Sequence, residues 1–293
     1  MALLDGKLIS NQLKLGILER STYFFKQSGI KPHLAALLIG NNPASEVYVA
    51  SKIRNCEEVG FVSTLKRFDS DIDEKSVIAQ IEQWNQDPHI HGILVQLPLP
   101  DHIQEENITQ AIFPSKDVDG FHPINLGRMM KNLPTYISAT PLGILKLLEA
   151  YKIPTEGKDC VVIGRSHIVG SPISILMARP SYPGNATVTL CHSRTQNLFE
   201  ITKRADILIA AIGKPEFIHG DHIKPGAVVI DVGMNRIEDL SKKSGNRLVG
   251  DVHFESAEKI ASYITPVPGG VGLMTIIGLL ENTLLSAQKL IYS

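Results

Sequence analysis

The chain has 293 residues, 43% hydrophobic and 20% charged, enough to bury one large core or two moderate ones. Its 29 lysines and arginines balance 30 aspartates and glutamates to a net charge of −1, which argues against a nucleic-acid partner and against an electrostatic hold on a membrane. Cys56, Cys160 and Cys191 form no C-x-x-C pair, the opening residues lack the layout of a secretory signal, and no apolar run approaches the roughly 20 residues of a membrane span; a soluble cytoplasmic protein is expected.

In chain order, the apolar run 34–39 ends at Gly40 and predicts a buried strand. Residues 44–59 carry helical spacing and stop at Gly60, residues 74–85 predict an amphipathic helix, and 91–97 a second strand closed by Pro98 and Pro100. This is the β-α-β-α-β order of a parallel sheet covered by helices. Tyr48 and Lys52 fall at i and i+4 on one helical face, which suits either a catalytic pair or an ordinary surface pair. Short-chain dehydrogenases carry a Tyr-x-x-x-Lys pair downstream of their nucleotide-binding glycines; here the pair lies far upstream of the glycine turn, which argues against that reading. Gln96 ends the second strand. The segment Lys116-Asp117-Val118-Asp119-Gly120-Phe121-His122-Pro123 is a polar loop with two carboxylates, a turn or a weak metal site, and its Gly and Pro favour the turn. No His or Cys cluster has metal-ligand spacing, so no metal is expected.

The register changes near residue 138, where a domain boundary is expected. Thr140 and Pro141 suit the N-cap and first position of a helix over 140–151. Strands are predicted at 160–163, 187–191, 207–211 and 228–232, a second α/β unit. After the first of them, Gly164 and Gly170 flank Ser166 in an incomplete G-x-G-x-x-G pattern, a layout that would present backbone N–H groups and a helix N-terminus to a phosphate. The second ends in His192-Ser193-Arg194-Thr195. An acidic residue there would bind the ribose hydroxyls of NAD; Ser193 and Arg194, with Arg165 in the neighbouring turn, suit a 2′-phosphate instead, so NADP is the expected cofactor. Solvated loop residues are the alternative. Gly213 and Asn235 lie in the turns that end the next two strands, where glycine lets backbone approach a ligand; each turn could equally be an ordinary connection. Residues 237–247 are polar and read as a solvated loop or hairpin. The Pro- and Gly-dense run 265–272 leads into a closing helix over 274–291, expected to return to the first domain.

Together and in this order, Tyr48-Val49-x-x-Lys52, Gln96-Leu97-Pro98-Leu99-Pro100, Lys116 to Gly120, Thr140-Pro141-x-Gly143, Gly164-Arg165-Ser166-x-Ile168-Val169-Gly170 and Pro266 to Gly272 resemble the bifunctional methylenetetrahydrofolate dehydrogenase/methenyltetrahydrofolate cyclohydrolase family over nearly the whole chain. The resemblance implies two α/β domains facing a cleft: a folate-binding catalytic domain over 1–138, on which the helix 273–293 packs back, and a Rossmann-like NADP-binding domain over 139–272. It implies oxidation of 5,10-methylenetetrahydrofolate with NADP, hydrolysis of the methenyl product to 10-formyltetrahydrofolate, a role in purine biosynthesis, and a homodimer; a member that kept one of the two activities is the alternative. By resemblance Lys52 is the central catalytic group, Tyr48 stacks on the folate rings, Gln96 hydrogen-bonds Lys52, and Asp119 holds the pterin's amino edge. Leu97, Pro268, Gly269 and Val271 complete the folate site, and Thr140, Gly164, Arg165, Ser166, Ile168, Gly170, Ser193, Arg194, Gly213 and Asn235 hold the dinucleotide. Leu273 stands where the family usually has Pro, Ala139 where many members have Cys, and His253 where Asp is frequent.

Overall fold

The computed structural model describes residues 1–241 and 245–292. The chain divides into two compact units, one of residues 12–139 and 276–293, the other of residues 1–11 and 140–275.

The first unit is built on a three-stranded parallel sheet in the order Val62–Phe68, His33–Ile39, Gly92–Val95. Its central strand explains the unbroken apolar run seen in the sequence. Leu34, Ala36 and Leu38 face a core that includes Val49 and Cys56 of the helix Pro43–Glu58 and Ile277, Leu280 and Leu284 near the C-terminus. Ala35, Leu37 and Ile39 face the opposite way, onto Val77, Ile81 and Trp84 of the helix Glu74–Gln86. Side chains alternate along a strand, so a strand covered on both faces has no polar side to show. Asp73 caps the second of these helices, its Oδ1 accepting from Ser76 N at 2.9 Å. Residues 276–293 are tied in by polar contacts as well: Asn282 Nδ2 donates to the carbonyls of Val118 and Ile137, both at 2.8 Å.

The second unit carries a six-stranded parallel sheet in the order Ala2–Leu3, Tyr263–Ile264, Val228–Asp231, Ile207–Ala210, Asp159–Ile163, Thr187–Cys191. The chain leaves Asp159–Ile163 for the strand on one side, then crosses to Ile207–Ala210 on the other. That reversal makes the carboxyl end of Asp159–Ile163 a topological switch point, where open α/β sheets bind ligands.

Several boundaries differ from expectation. Residues 1–11 group with the six-stranded unit, because Ala2–Leu3 adds to Tyr263–Ile264 in parallel register and Asp5 N donates to the Tyr151 hydroxyl at 2.9 Å. The helix Ala139–Ala150 starts before Thr140, which therefore lies in the first turn rather than at the cap; its hydroxyl meets that of Thr275 at 3.0 Å. The last helix is Val271–Ala287, with Leu273 in its first turn. The polar stretch after Met234 is an antiparallel hairpin, Asn235–Glu238 with Asn246–Val249; residues 242–244 of that stretch lie outside the described residues. Among the described residues no helix is long and apolar enough to cross a membrane.

Candidate active site

In the three-stranded unit, Asn42 starts the helix that carries Tyr48 and Lys52: its side-chain oxygen accepts from Ser45 N at 3.3 Å, and Pro43 holds the first helical position. Four residues apart, Tyr48 and Lys52 lie one turn from each other. Lys52 is only 8% exposed, so the surface-pair reading does not hold for it. Its Nζ donates to Gln96 Oε1 at 3.1 Å, while Gln96 Nε2 donates to the Leu97 carbonyl at 2.7 Å. The second bond fixes the amide's orientation, since the reverse would set an NH₂ group against the lysine. Gln96 itself is held in place because its N–H continues the sheet ladder to Leu37 O at 2.9 Å.

The two carboxylates of the polar loop part company. Asp117 is buried and accepts from the backbone N–H groups of Phe121 (3.2 Å) and His122 (2.8 Å) and from Asn125 Nδ2 (2.8 Å). It closes the turn, as the Gly and Pro beside it imply. Asp119 keeps some exposure, and its carboxyl is coupled electrostatically to Lys52. Burial pushes Asp119 up to about 6; the positive charge of Lys52 pulls it down and Asp117 pushes it further up. Burial lowers Lys52 from the ordinary lysine value, partly offset by Asp119. Loss of water likewise raises the Tyr48 phenol. The structure thus sets Lys52 on Gln96 and couples it electrostatically to Asp119, so that two titratable groups have their pKa values shifted toward each other.

In the six-stranded unit, a groove of about 800 Å³ opens at the switch point, lined by Gly164, Arg165, Ser166, His192 and Ser193 at the ends of two neighbouring strands. Gly164 has φ +113, and a Cβ on it would overlap Ala211 O; one on Gly170 would overlap Gly164 O. These glycines are required by backbone packing. The helix Gly170–Ala178 does begin where expected, but its start is closed: Ser166 Oγ accepts from Val169 N (3.2 Å) and Gly170 N (3.3 Å), and Ser166 O from Ser171 N (3.0 Å). A phosphate would therefore meet the turn and side chains of 165–168 rather than those three amides. Arg165, Ser166, Ile168, Ser193 and Arg194 are exposed. The turn after Thr187–Cys191 is self-supporting, His192 N bonding Thr195 Oγ1 at 2.9 Å and Arg194 N bonding His192 Nδ1 at 3.1 Å.

Gly213 adopts φ +67, but its N–H points to Asp251 Oδ2 at 3.0 Å rather than outward. The Nδ2 of Asn235 is likewise engaged, with Asp251 Oδ1 at 2.9 Å and Gly250 O at 3.2 Å. Pro268, Gly269 and Val271 belong to this unit; Gly269 O accepts from Lys7 N at 3.1 Å. The sequence reading missed Lys214, Phe199, Glu200 and Phe217, which also line the groove. They sit in loops and on the short helix Leu198–Thr202, where no spacing marks them. Among the described residues, no group of three or more His, Cys, Asp or Glu could hold a metal ion.

The chain is similar to known proteins over almost its whole length. The catalytic domain of tetrahydrofolate dehydrogenase/cyclohydrolase matches residues 4–119, and the NAD(P)-binding domain of the same enzymes matches 138–291. The chain is 57% identical over 287 residues to the bifunctional protein FolD of Cytophaga hutchinsonii, covering 98% of this chain and 99% of the relative. Among solved structures, the FolD dehydrogenase/cyclohydrolase of Campylobacter jejuni superposes with a TM-score of 0.92 at 48% identity, covering 99% of each chain. The Trypanosoma brucei dehydrogenase-cyclohydrolase, solved with NADP cofactor and an inhibitor, gives 0.94 at 33% identity over 100% of this chain and 99% of its own. The chain belongs to the tetrahydrofolate dehydrogenase/cyclohydrolase family.

Proposed function

We propose that this protein is a bifunctional one-carbon folate enzyme. It oxidises 5,10-methylenetetrahydrofolate with NADP to the 5,10-methenyl compound and hydrolyses that to 10-formyltetrahydrofolate. The observation that carries the reading is the buried Lys52, bonded to Gln96 Oε1 and electrostatically coupled to Asp119, in a chain related at full length to bifunctional FolD proteins.

Residues 12–139 with 276–293 form the folate unit in this reading, and the six-stranded unit the dinucleotide unit. Tyr48 offers its ring to the folate and Asp119 its carboxylate to the amino edge of the pterin, with Leu97, Pro268, Gly269 and Val271 as further folate contacts. NADP, when bound, takes the hydride that leaves the one-carbon bridge. The groove suits that cofactor because Arg165 and Ser193 stand at the two strand ends and the second strand ends without a carboxylate. Arg165, Ser166, Ile168, Ser193 and Arg194 are the residues that would hold it, on a frame set by Thr140, Gly164, Gly170, Gly213 and Asn235. In the hydrolytic step a water oxygen bonds to the methenyl carbon, and one of the two carbon–nitrogen bonds then breaks. Lys52 Nζ, its pKa lowered by burial, takes the proton from that water when it is in its amine form and can return it to the departing nitrogen. Gln96 Oε1 fixes where Nζ sits while this happens.

A homodimer in the cytoplasm completes the proposal; light scattering of the purified protein tests the first part. One spectrophotometric experiment tests the chemistry. Methylenetetrahydrofolate and NADP should give a methenyl absorbance that rises and then decays, and a rise without decay would mean that only the dehydrogenase is retained.

A further inference from the structure

The carboxylate of Asp251 is fully buried and takes three hydrogen bonds, from the backbone N–H of Ile212 (2.7 Å) and Gly213 (3.0 Å) and from Asn235 Nδ2 (2.9 Å). Ile212 and Lys214 line the groove at the switch point, so Asp251 grips that wall through the two backbone amides at Ile212 and Gly213. A second buried carboxylate, Asp231, holds Asp251 in turn. It accepts from Gly233 N, Asp251 N and Val252 N, each at 2.9 Å. The two carboxylates are packed so closely against backbone that a Cβ on Gly250 would overlap the Asp231 carboxylate and one on Gly233 the Asp251 carboxylate. Two strand-end turns, after Ile207–Ala210 and after Val228–Asp231, are thereby locked to one point.

We propose that Asp251 is a positioning residue for dinucleotide binding, fixing the groove wall 211–214 and the turn 233–235 in one arrangement without touching the cofactor. The inference rests on the groove being the NADP site. A carboxylate is suited to the task because both of its oxygens accept, Oδ2 from the two amides and Oδ1 from Asn235. An asparagine at 251 can serve the two backbone amides with its carbonyl, but its NH₂ then faces Asn235 Nδ2, which is itself donating to Gly250 O. An alanine serves none of the three, so the amides of Ile212 and Gly213 must find other partners and the wall must move. A displacement of about 1 Å in a supporting element can cost on the order of 100-fold in rate.

The test compares the unmodified enzyme with Asp251→Asn and Asp251→Ala, measuring calorimetric NADP binding, NADP KM, and cyclohydrolase activity on methenyltetrahydrofolate without NADP. Asp251→Ala should raise the NADP KM and Kd by about tenfold or more, Asp251→Asn by less, with cyclohydrolase kcat and KM unchanged. A purely structural role would instead lower both activities together by the fraction unfolded and leave the NADP KM alone; that result overturns the proposal, as does an NADP KM within about twofold of the original. If neither variant folds, amide exchange on the unmodified protein decides: Ile212 and Gly213 should be protected without NADP, and protection that appears only on adding NADP refutes the clamp. Failure of the unmodified enzyme to bind NADP would instead sink the assignment of the groove.

Discussion

Replacing Lys52 by methionine removes the charge and the hydrogen bond while keeping an unbranched chain of similar length. Its effect on folding and its effect on chemistry have different sizes. For folding, the change relieves the cost of holding an amine that is 8% exposed, and leaves Gln96 Oε1 without its 3.1 Å donor. An acceptor stranded in this way costs about 1–3 kcal/mol, and relief of the buried amine offsets part of that, so the stability change should stay within about 2 kcal/mol. For catalysis, removal of a positioned acid–base group costs about 100- to 10,000-fold, or about 3–5 kcal/mol at 1.36 kcal/mol per decade. Lys52→Met should therefore melt within several degrees of the parent and lose cyclohydrolase activity by at least two orders of magnitude. The assay is the decay of methenyl absorbance with methenyltetrahydrofolate supplied directly, beside a thermal melt. The variant carries a second signature: Lys52 draws the Asp119 pKa downward, so without it the carboxyl rises above about 6. If Asp119 holds folate as the anion, the acid limb of the dehydrogenase pH profile should move to higher pH. A folded Lys52→Met that hydrolyses methenyltetrahydrofolate within tenfold of the parent would refute the reasoning.

Gln96→Glu would set a carboxylate beside the Lys52 ammonium, raising the lysine pKa by about 1–3 units, so the cyclohydrolase pH profile should shift upward; an unmoved profile contradicts the role given to Lys52. Arg165→Ala removes a charge-assisted contact worth about 1.5–3 kcal/mol and should raise the NADP KM about 10- to 150-fold while leaving the NAD KM nearly unchanged. Equal use of the two cofactors by the unmodified enzyme would contradict the 2′-phosphate reading. Gly164→Ala puts a Cβ onto Ala211 O at φ +113, and denaturant unfolding should show a loss of at least about 2 kcal/mol; a loss below about 0.5 kcal/mol would mean that the turn is freer than its geometry implies.

Elements with a strong local pattern were legible in the sequence, and those stabilised by distant partners were not. The run 34–39 announces a strand because both its faces are buried. The strand Val62–Phe68, mixed in character and partly exposed along its length, announces little, and its neighbour His33–Ile39 supplies the missing half of the ladder. Ala2–Leu3 has no local signal at all, since its partner Tyr263–Ile264 lies at the other end of the chain. In the site, the i,i+4 spacing marks Tyr48 and Lys52, the family resemblance pairs Lys52 with Gln96, and the structure adds that Lys52 is buried. Asp251 escaped notice because two of its three donors are backbone amides, 38 and 39 residues earlier in the chain, which no residue pattern records.

The donors that face them separate three buried aspartates from the half-buried Asp119. Asp117, Asp231 and Asp251 each take three hydrogen bonds, and each ties a turn: 117–122, 231–233 with 251–252, and 212–213 with Asn235. Such donors use up the oxygens, leaving a carboxylate little capacity to meet a ligand. Asp119 is different. Among the described residues no side-chain or backbone donor is seen on its carboxylate, and the charge of Lys52 is the one influence drawing its pKa down against burial and Asp117. Half-buried rather than sealed off, that carboxylate keeps its oxygens open to solvent or to a ligand that brings donors. In the proposed function, the amino edge of a pterin is a donor group of that kind. In the proposed function, the pair Asp117-x-Asp119 therefore divides two tasks between neighbouring acidic residues. Asp117 fixes the loop with every oxygen occupied, so that Asp119 can be held in place with its oxygens free.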